Sequence, residues 1–469
     1  MPFSSKLLQM GAAGAGEKLY IEDVFSTYLY TGNGSTQAIT NNIDLSTEGG
    51  MVWAKCRTLA ANHRLTDTVR GAGNSLLSNS TLENQTATGN GEVSSFTTTG
   101  YTTNLSGFNS TDTHASWTFR KAKKFFDVVT YTGNGTNGRT ISHNLGSTPG
   151  CIIVKSTSGG TSDYPWMVYH RSLGATKYLV LNNTTAATTS QYAWNNTEPT
   201  STVFSVSFNT NTNENGSTYV AYLFAHDAGG FGDAGSDNVI SCGSWTGNTS
   251  VNLGYEPQWI LIKRTDSTSN WFLLDVMRGW TAGGILNFLL PNSSAAESTS
   301  ALSYLTINST GFAPGSDPFF QTGTFIYIAI RRGPMKTPTT GTSVFAPYVT
   351  NTVAASSSGS TSASALYRSD FVTDFVIQTR KAFADSRYVV SRLTGNQYLI
   401  TNSTAAEATS NAPWDSNIAA LNFTTDYGQW MFRRAPGFFD VTVTPSTYTG
   451  TAYHNLGVSP EMIIEKQRA

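Results

Sequence analysis

The chain has 469 residues, a formal net charge of −1 and only 13% charged residues. So sparse a charge excludes a nucleic-acid binder built on a basic stripe and a disordered acidic chain. Ser, Thr and Asn supply roughly a third of the residues and aromatics 12%, a mixture suited to strands joined by Asn- and Gly-rich turns. Three cysteines, Cys56, Cys151 and Cys242, are too few for a disulfide framework and read as small buried hydrophobes. Residues 1–27 carry no secretory apolar core. No run reaches the roughly twenty apolar residues of a membrane span, so membrane insertion is not expected.

Helix is expected at most over residues 4–15 and in short turns. Beyond them the chain repeats itself. Tyr30-Thr31-Gly32-Asn33-Gly34 returns 101 residues later as Tyr131-Thr132-Gly133-Asn134-Gly135, and in worn form as Trp245-Thr246-Gly247-Asn248-Thr249 and Tyr448-Thr449-Gly450-Thr451. The last step is about twice the first, so one intervening copy has lost the phrase. A period near a hundred residues is the size of a small domain. The expected fold is all-β, a tandem array of about four related β-sandwich domains preceded by a short N-terminal segment. The boundaries read as 1–27, then repeats at 28–128, 129–236, 237–340 and 341–441, and the start of a fifth at 442–469.

Each copy runs through the same events. The Asn-Gly phrase suits a tight hairpin turn. A loop with Asn-Leu-Gly follows, as His143-Asn144-Leu145-Gly146, Asn252-Leu253-Gly254 and His454-Asn455-Leu456-Gly457, with Pro149, Pro257 and Pro460 after it. Next comes the most apolar strand: Met51-Val52-Trp53, Cys151-Ile152-Ile153, Trp259-Ile260-Leu261, Phe375-Val376-Ile377 and Met462-Ile463-Ile464. These short runs predict strands buried on both faces. An Arg-bearing strand and a Tyr-Leu strand with a polar Asn/Thr/Ala patch come next. An aromatic strand closes the copy, and the ending Trp117–Val128 matches Trp430–Val441 at an offset of 313 residues. A lone fifth-copy strand would expose an apolar face, so either the polypeptide continues past Ala469, which is the favoured reading, or this strand completes a neighbouring domain.

Chemical motifs are few. The chain has no HExxH, P-loop or GxSxG, and no cofactor is expected. Asp227, Asp233 and Asp237 lie in a Gly-rich linker that could hold calcium, although the spacing is not that of an EF-hand. His143 and His454 match, but Val251 takes that place in the third copy, so the histidine is expected to close a loop by hydrogen bonding. Asp163, Glu198 and Asp275 form no recurring pair for glycoside hydrolysis. Trp166 and Trp271 occupy like positions and read as core. Trp194 and Trp414 follow the polar patch and are the candidates for glycan contact.

The repeat, from Thr-Gly-Asn-Gly through His143-Asn144-Leu145-Gly146, Ile152-Ile153-Val154-Lys155 and Trp166–Gly174 to Ser201–Val206, resembles virion structural proteins of tailed bacteriophages of the marine cyanophage and pelagiphage kind. The opening Met1-Pro2-Phe3-Ser4-Ser5-Lys6-Leu7-Leu8-Gln9-Met10 is similar to that of phage fibre-like proteins whose later domains differ. The resemblance implies a non-enzymatic tail fibre. Residues 1–27, with Phe3, Lys6, Leu7, Leu8 and Met10, would dock to other tail proteins, and the β domains would project toward a host-surface glycan or envelope protein. It also implies a homotrimer located in the virion and made in the host cytoplasm. The alternatives are a capsid-surface or tail-collar appendage without a receptor role, and a glycan depolymerase.

Overall fold

In a computed structural model, the structure describes residues 18–86, 93–104, 111–158, 164–283, 286–300, 302–349, 369, 371–380, 386–409, 427–444 and 450–468. It is an all-β protein of antiparallel sheets. The docking candidates Phe3, Lys6, Leu7, Leu8 and Met10, the span 4–15, Asp163, the Ser-rich tract 356–364 and Trp414 lie outside the described residues.

Four copies of one main sheet follow one another. Each has an opening strand (Phe25–Thr31, Phe126–Thr132, Ile240–Thr246, Phe345–Val349) and an aromatic closing strand (Thr113–Arg120, Thr218–Phe224, Thr324–Arg331, Tyr427–Phe432). The closing strand lies between the opening strand and the apolar central strand (Gly50–Cys56, Cys151–Ser158, Pro257–Arg264, Phe375–Arg380). The Arg-bearing strand then pairs on the far side of the central one. This order, the same in all four, buries the most apolar strand in the middle of the sheet, where its backbone groups are paired on both sides.

In the first three repeats a smaller sheet covers one face of the main sheet. Gln37–Thr40 pairs with Gly100–Thr103, Arg139–Ser142 with Val203–Val206, and Val251–Asn252 with Gly311–Pro314. The Asn-Gly phrase therefore does not close a hairpin. It carries the chain from the end of the opening strand in one sheet to the first strand of the other. Its glycines do take the left-handed backbone expected, with φ 68° at Gly34 and 67° at Gly135. The preceding Asn folds the turn: Asn33 Oδ1 accepts from Ser35 N at 2.8 Å and Asn134 Oδ1 from Thr136 N at 3.0 Å.

The phrase ends an opening strand rather than starting a repeat, so boundaries drawn from it fall too late. The cuts at 27/28 and 128/129 pass through the opening strands Phe25–Thr31 and Phe126–Thr132. Residues 18–27 form a short helix, Ile21–Val24, and the start of a strand, with Ile21 and Val24 buried in the main core. They belong to the first repeat.

Every residue of Gly50–Cys56 is buried, although a sandwich strand ordinarily alternates. The two faces go to two cores. Val52 and Ala54 join the small sheet's Ile39 and Tyr101 in the first repeat's own core, whereas Met51 and Trp53 face a core shared with the second and third repeats. The third repeat divides the same way: Ile260 and Ile262 face a core of its own that Leu393 of the fourth repeat joins, Trp259 and Leu261 the core shared by the first three. Aromatic rings of all three repeats meet there, with Phe119 5.7 Å from both Phe224 and Trp259. Repeats one to three are thus not beads on a string. They close on one another as a triad.

Candidate functional site: the joints of the triad

Equivalent positions in successive repeats make equivalent contacts, and the third repeat hands its contact back to the first. The simplest joint is made by the main chain. Asn84 N donates to Thr157 O at 3.3 Å, Ala187 N to Thr265 O at 2.9 Å, and Glu297 N to Arg57 O at 2.8 Å. Each bond runs from the residues after the Tyr-Leu strand of one repeat to the end of the next repeat's central strand.

Near the end of each central strand of the triad a buried lysine turns to the neighbouring repeat. Lys155 Nζ donates to Thr81 O at 2.8 Å, Lys263 Nζ to Thr184 O at 3.0 Å, and Lys55 Nζ to Ser294 O at 3.3 Å. Each also binds a carbonyl of its own repeat: Tyr164 O, Ser269 O and Cys56 O respectively. Burial pushes the Lys55 and Lys263 ammoniums down to about 8, because a desolvated cation costs free energy that carbonyl dipoles offset only in part.

Opposite that lysine stands an aromatic donor. Trp166 Nε1 donates to Leu77 O and Trp271 Nε1 to Val180 O, both at 2.9 Å. The same place in the first repeat holds His63, whose ring faces the Leu290 carbonyl. Trp53 Nε1 donates to His63 Nδ1 at 3.1 Å, which leaves the other ring nitrogen to carry the proton. Burial holds His63 well below the usual histidine range, so it is neutral. An asparagine of the polar patch fixes all three backbones, with Asn79, Asn182 and Asn292 accepting from His63, Trp166 and Trp271 N at 3.0, 2.8 and 2.8 Å.

The fourth joint reaches from each closing strand. Tyr222 donates to Asp67 Oδ2 at 2.8 Å, and Trp117 Nε1 to Asp275 Oδ2 at 3.0 Å. His170 replaces the aspartate in the second repeat and meets Tyr327 O at 3.1 Å. Arg70 and Arg278 neutralise the two aspartates at 2.6 Å. Arg57 and Arg278 both hold Glu297, at 2.6 and 2.9 Å. Burial alone would raise the Glu297 carboxyl, but the two guanidiniums outweigh it and hold it below the usual range.

The fourth repeat and the residues after it reuse the joint. Glu407 N donates to Arg468 O at 2.7 Å, Lys466 Nζ to Ser403 O at 2.9 Å, and Arg468 grips Glu407 at 2.6 and 2.7 Å. The fourth repeat also sits on the triad. Arg434 binds Glu256 at 2.8 Å, where Arg332 approaches at 3.2 Å. The Glu22 carboxylate accepts from Met335 N and Lys336 N, both at 2.9 Å.

The sequence candidates fall in distinct places. The histidines of the Asn-Leu-Gly loop close that loop, with Leu145 N donating to His143 Nδ1 and Leu456 N to His454 Nδ1, both at 3.3 Å. Trp166 and Trp271 are core, as read. Trp194 is not a surface group. It is 2% exposed and packs edge-on to Tyr169 at 5.9 Å, within the core shared by the three repeats. No sugar can stack on it from solvent. The linker carboxylates are engaged separately: Asp233 by Lys18 at 3.2 Å, Asp237 by Arg331 at 3.5 Å, and Asp227 by Ser241 and His226. Among the described residues no three His, Cys, Asp or Glu side chains converge on a metal position. Glu198 accepts from Tyr169 OH and Ala175 N, and Asp275 lies in a triad joint. The three cysteines are free and buried. No described helix is long and apolar enough to cross a membrane.

The joints escaped sequence reading because their partners change identity around the triad. His63, Trp166 and Trp271 are one position, as are Asp67, His170 and Asp275. The recurring lysine was the one visible signal, a charge set in an apolar strand.

No curated protein and no solved structure matches the chain. The model of a domain of unknown function, DUF7483, matches residues 21–334. That span starts at the first residue of the helix leading into repeat one and ends three residues past the closing strand of repeat three, so the family unit coincides with the whole triad. The chain belongs to the DUF7483 family.

Proposed function

We propose that the protein is a non-enzymatic structural component of a tailed-phage virion, a tail fibre whose N-terminal residues dock to the tail and whose β domains face the host. The recurrence of the triad joint between Glu407 and Arg468 carries this reading. A contact reused along one chain serves an assembly that is extended by repetition, as a fibre is. The buried carboxylates Asp67, Asp275, Glu256 and Glu297 are committed to guanidiniums, which suits scaffolding better than acid–base chemistry. The neutral, hydroxyl- and amide-rich surface suits weak contacts with host glycans, which multivalency would strengthen.

The resemblance implies a homotrimer. The lateral faces of the first three repeats are already occupied within one chain, so a trimer would assemble through other surfaces. Labelling the protein on intact virions tests the reading. Label at the tail supports it, and label spread over the head replaces it with the capsid-appendage alternative. Release of reducing ends from host surface polysaccharide by the purified protein would instead establish the depolymerase.

A further inference from the structure

Trp194 points inward, but two residues before it the same loop turns a ring outward. Tyr192 is 39% exposed and Phe208 50%, and their rings touch with centroids 4.5 Å apart at 48°. Among the described residues they are the two large exposed hydrophobics of the second repeat. The two loops that carry them are tied to each other, with Thr212 Oγ1 donating to Ala193 O at 3.4 Å, and Ala193, Trp194 and Thr212 are buried.

The chemistry around the pair is uniform. Residues 188–197 and 203–213 contain no charged side chain, and Asn, Gln, Ser and Thr supply most of the rest; the flanking Glu198 and Glu214 are engaged by Tyr169 and Tyr164. Asn195 and Asn196 take left-handed backbone conformations, φ 53° and 47°, which non-glycine residues adopt only where the surrounding structure holds them. Two rings are too small for the core of a protein interface, which buries about 800 Å² on each partner. They do match one or two pyranose rings, whose C–H faces stack on aromatic faces while the hydroxyls bond to amides and hydroxyls at the edge.

We infer that Tyr192 and Phe208 form a binding platform for an uncharged glycan. This deepens the host-attachment reading and rests on it. The test is saturation-transfer NMR of the full chain with maltotetraose, cellotetraose and chitotetraose. Transfer to at least one of the three is expected. Tyr192→Ala and Phe208→Ala should each weaken it about tenfold without moving the thermal melt, because both rings lie at the surface. Leu302→Ala, which removes a lone exposed apolar residue of the third repeat, should leave binding intact. No transfer from the unmodified protein to any of the three overturns the platform, and so does equal transfer from the two ring variants. Neither result bears on where the protein sits on the virion, which the labelling decides separately.

Discussion

Repeats one to three and the residues after them use the same joint but in different states of enclosure. In the triad Arg57 and Glu297 are 8% and 10% exposed; in the later copy Arg468 and Glu407 are 25% and 20% exposed. The fourth repeat's own core is a cluster of four buried residues, Phe371, Val376, Val390 and Met431, against the shared core that spans all three earlier repeats. The main-chain, lysine and arginine contacts recur in both places, so what differs is how far the surrounding core encloses them.

That comparison can be broken at its strongest point first. Trp166→Ala should cost the triad about 4 kcal/mol through lost packing and an orphaned carbonyl, read as a lower denaturant midpoint for residues 18–334. In the full chain the transition of the fourth repeat should stay put, and equal shifts in both would show that the two regions are one cooperative unit. Arg57→Ala should cost about 3 kcal/mol because it strands part of a buried carboxylate's pairing. Arg468→Ala, the same residue at the more exposed joint, should cost no more than about 1 kcal/mol. Matching losses would mean that enclosure does not set the strength of the joint.

The pH dependence sharpens the comparison further. Lys55 and Lys263 fall from an ordinary 10.5 to about 8 in the folded protein, so between those values the unfolded chain holds more protons. Stability of the triad should rise with pH across that window, in urea titrations at pH 8 and 10. Lys263→Met should flatten the rise. On the acid side Glu297 is lowered, so the stability it contributes is present above the ordinary glutamate range and is lost as pH falls through its folded value. The smallest effect is expected at the surface turn. Asn134→Ala removes the side-chain acceptor of Thr136 N and should cost about 0.5 kcal/mol.

Much of the local fold was legible in the sequence. Val52, Ile153 and Ile260 marked strands buried on both faces, and they are. His143 and His454 read as loop-closing groups, and Trp166 and Trp271 as core. The arrangement of the repeats was not legible. Sequence comparison finds sameness, and the joints vary: a tyrosine hydroxyl, an indole and a carbonyl occupy the place of Tyr222, Trp117 and Tyr327. The fully buried central strands held the missing clue, since a two-sheet sandwich alone does not require both of their faces to be so apolar. Trp194 misled because loop membership was taken for exposure. This loop turns the Trp194 ring in and the Tyr192 ring out.

The bonds Asn84–Thr157, Ala187–Thr265, Glu297–Arg57 and Glu407–Arg468 join amide to carbonyl, and a backbone bond is indifferent to the side chains on either side of it. Such a joint lets each copy drift without losing its place. A duplicated or recombined copy arrives already able to join its neighbours, and selection can then rewrite the outward loops of one copy while the rest stay unchanged. An array built this way can acquire a new surface one module at a time.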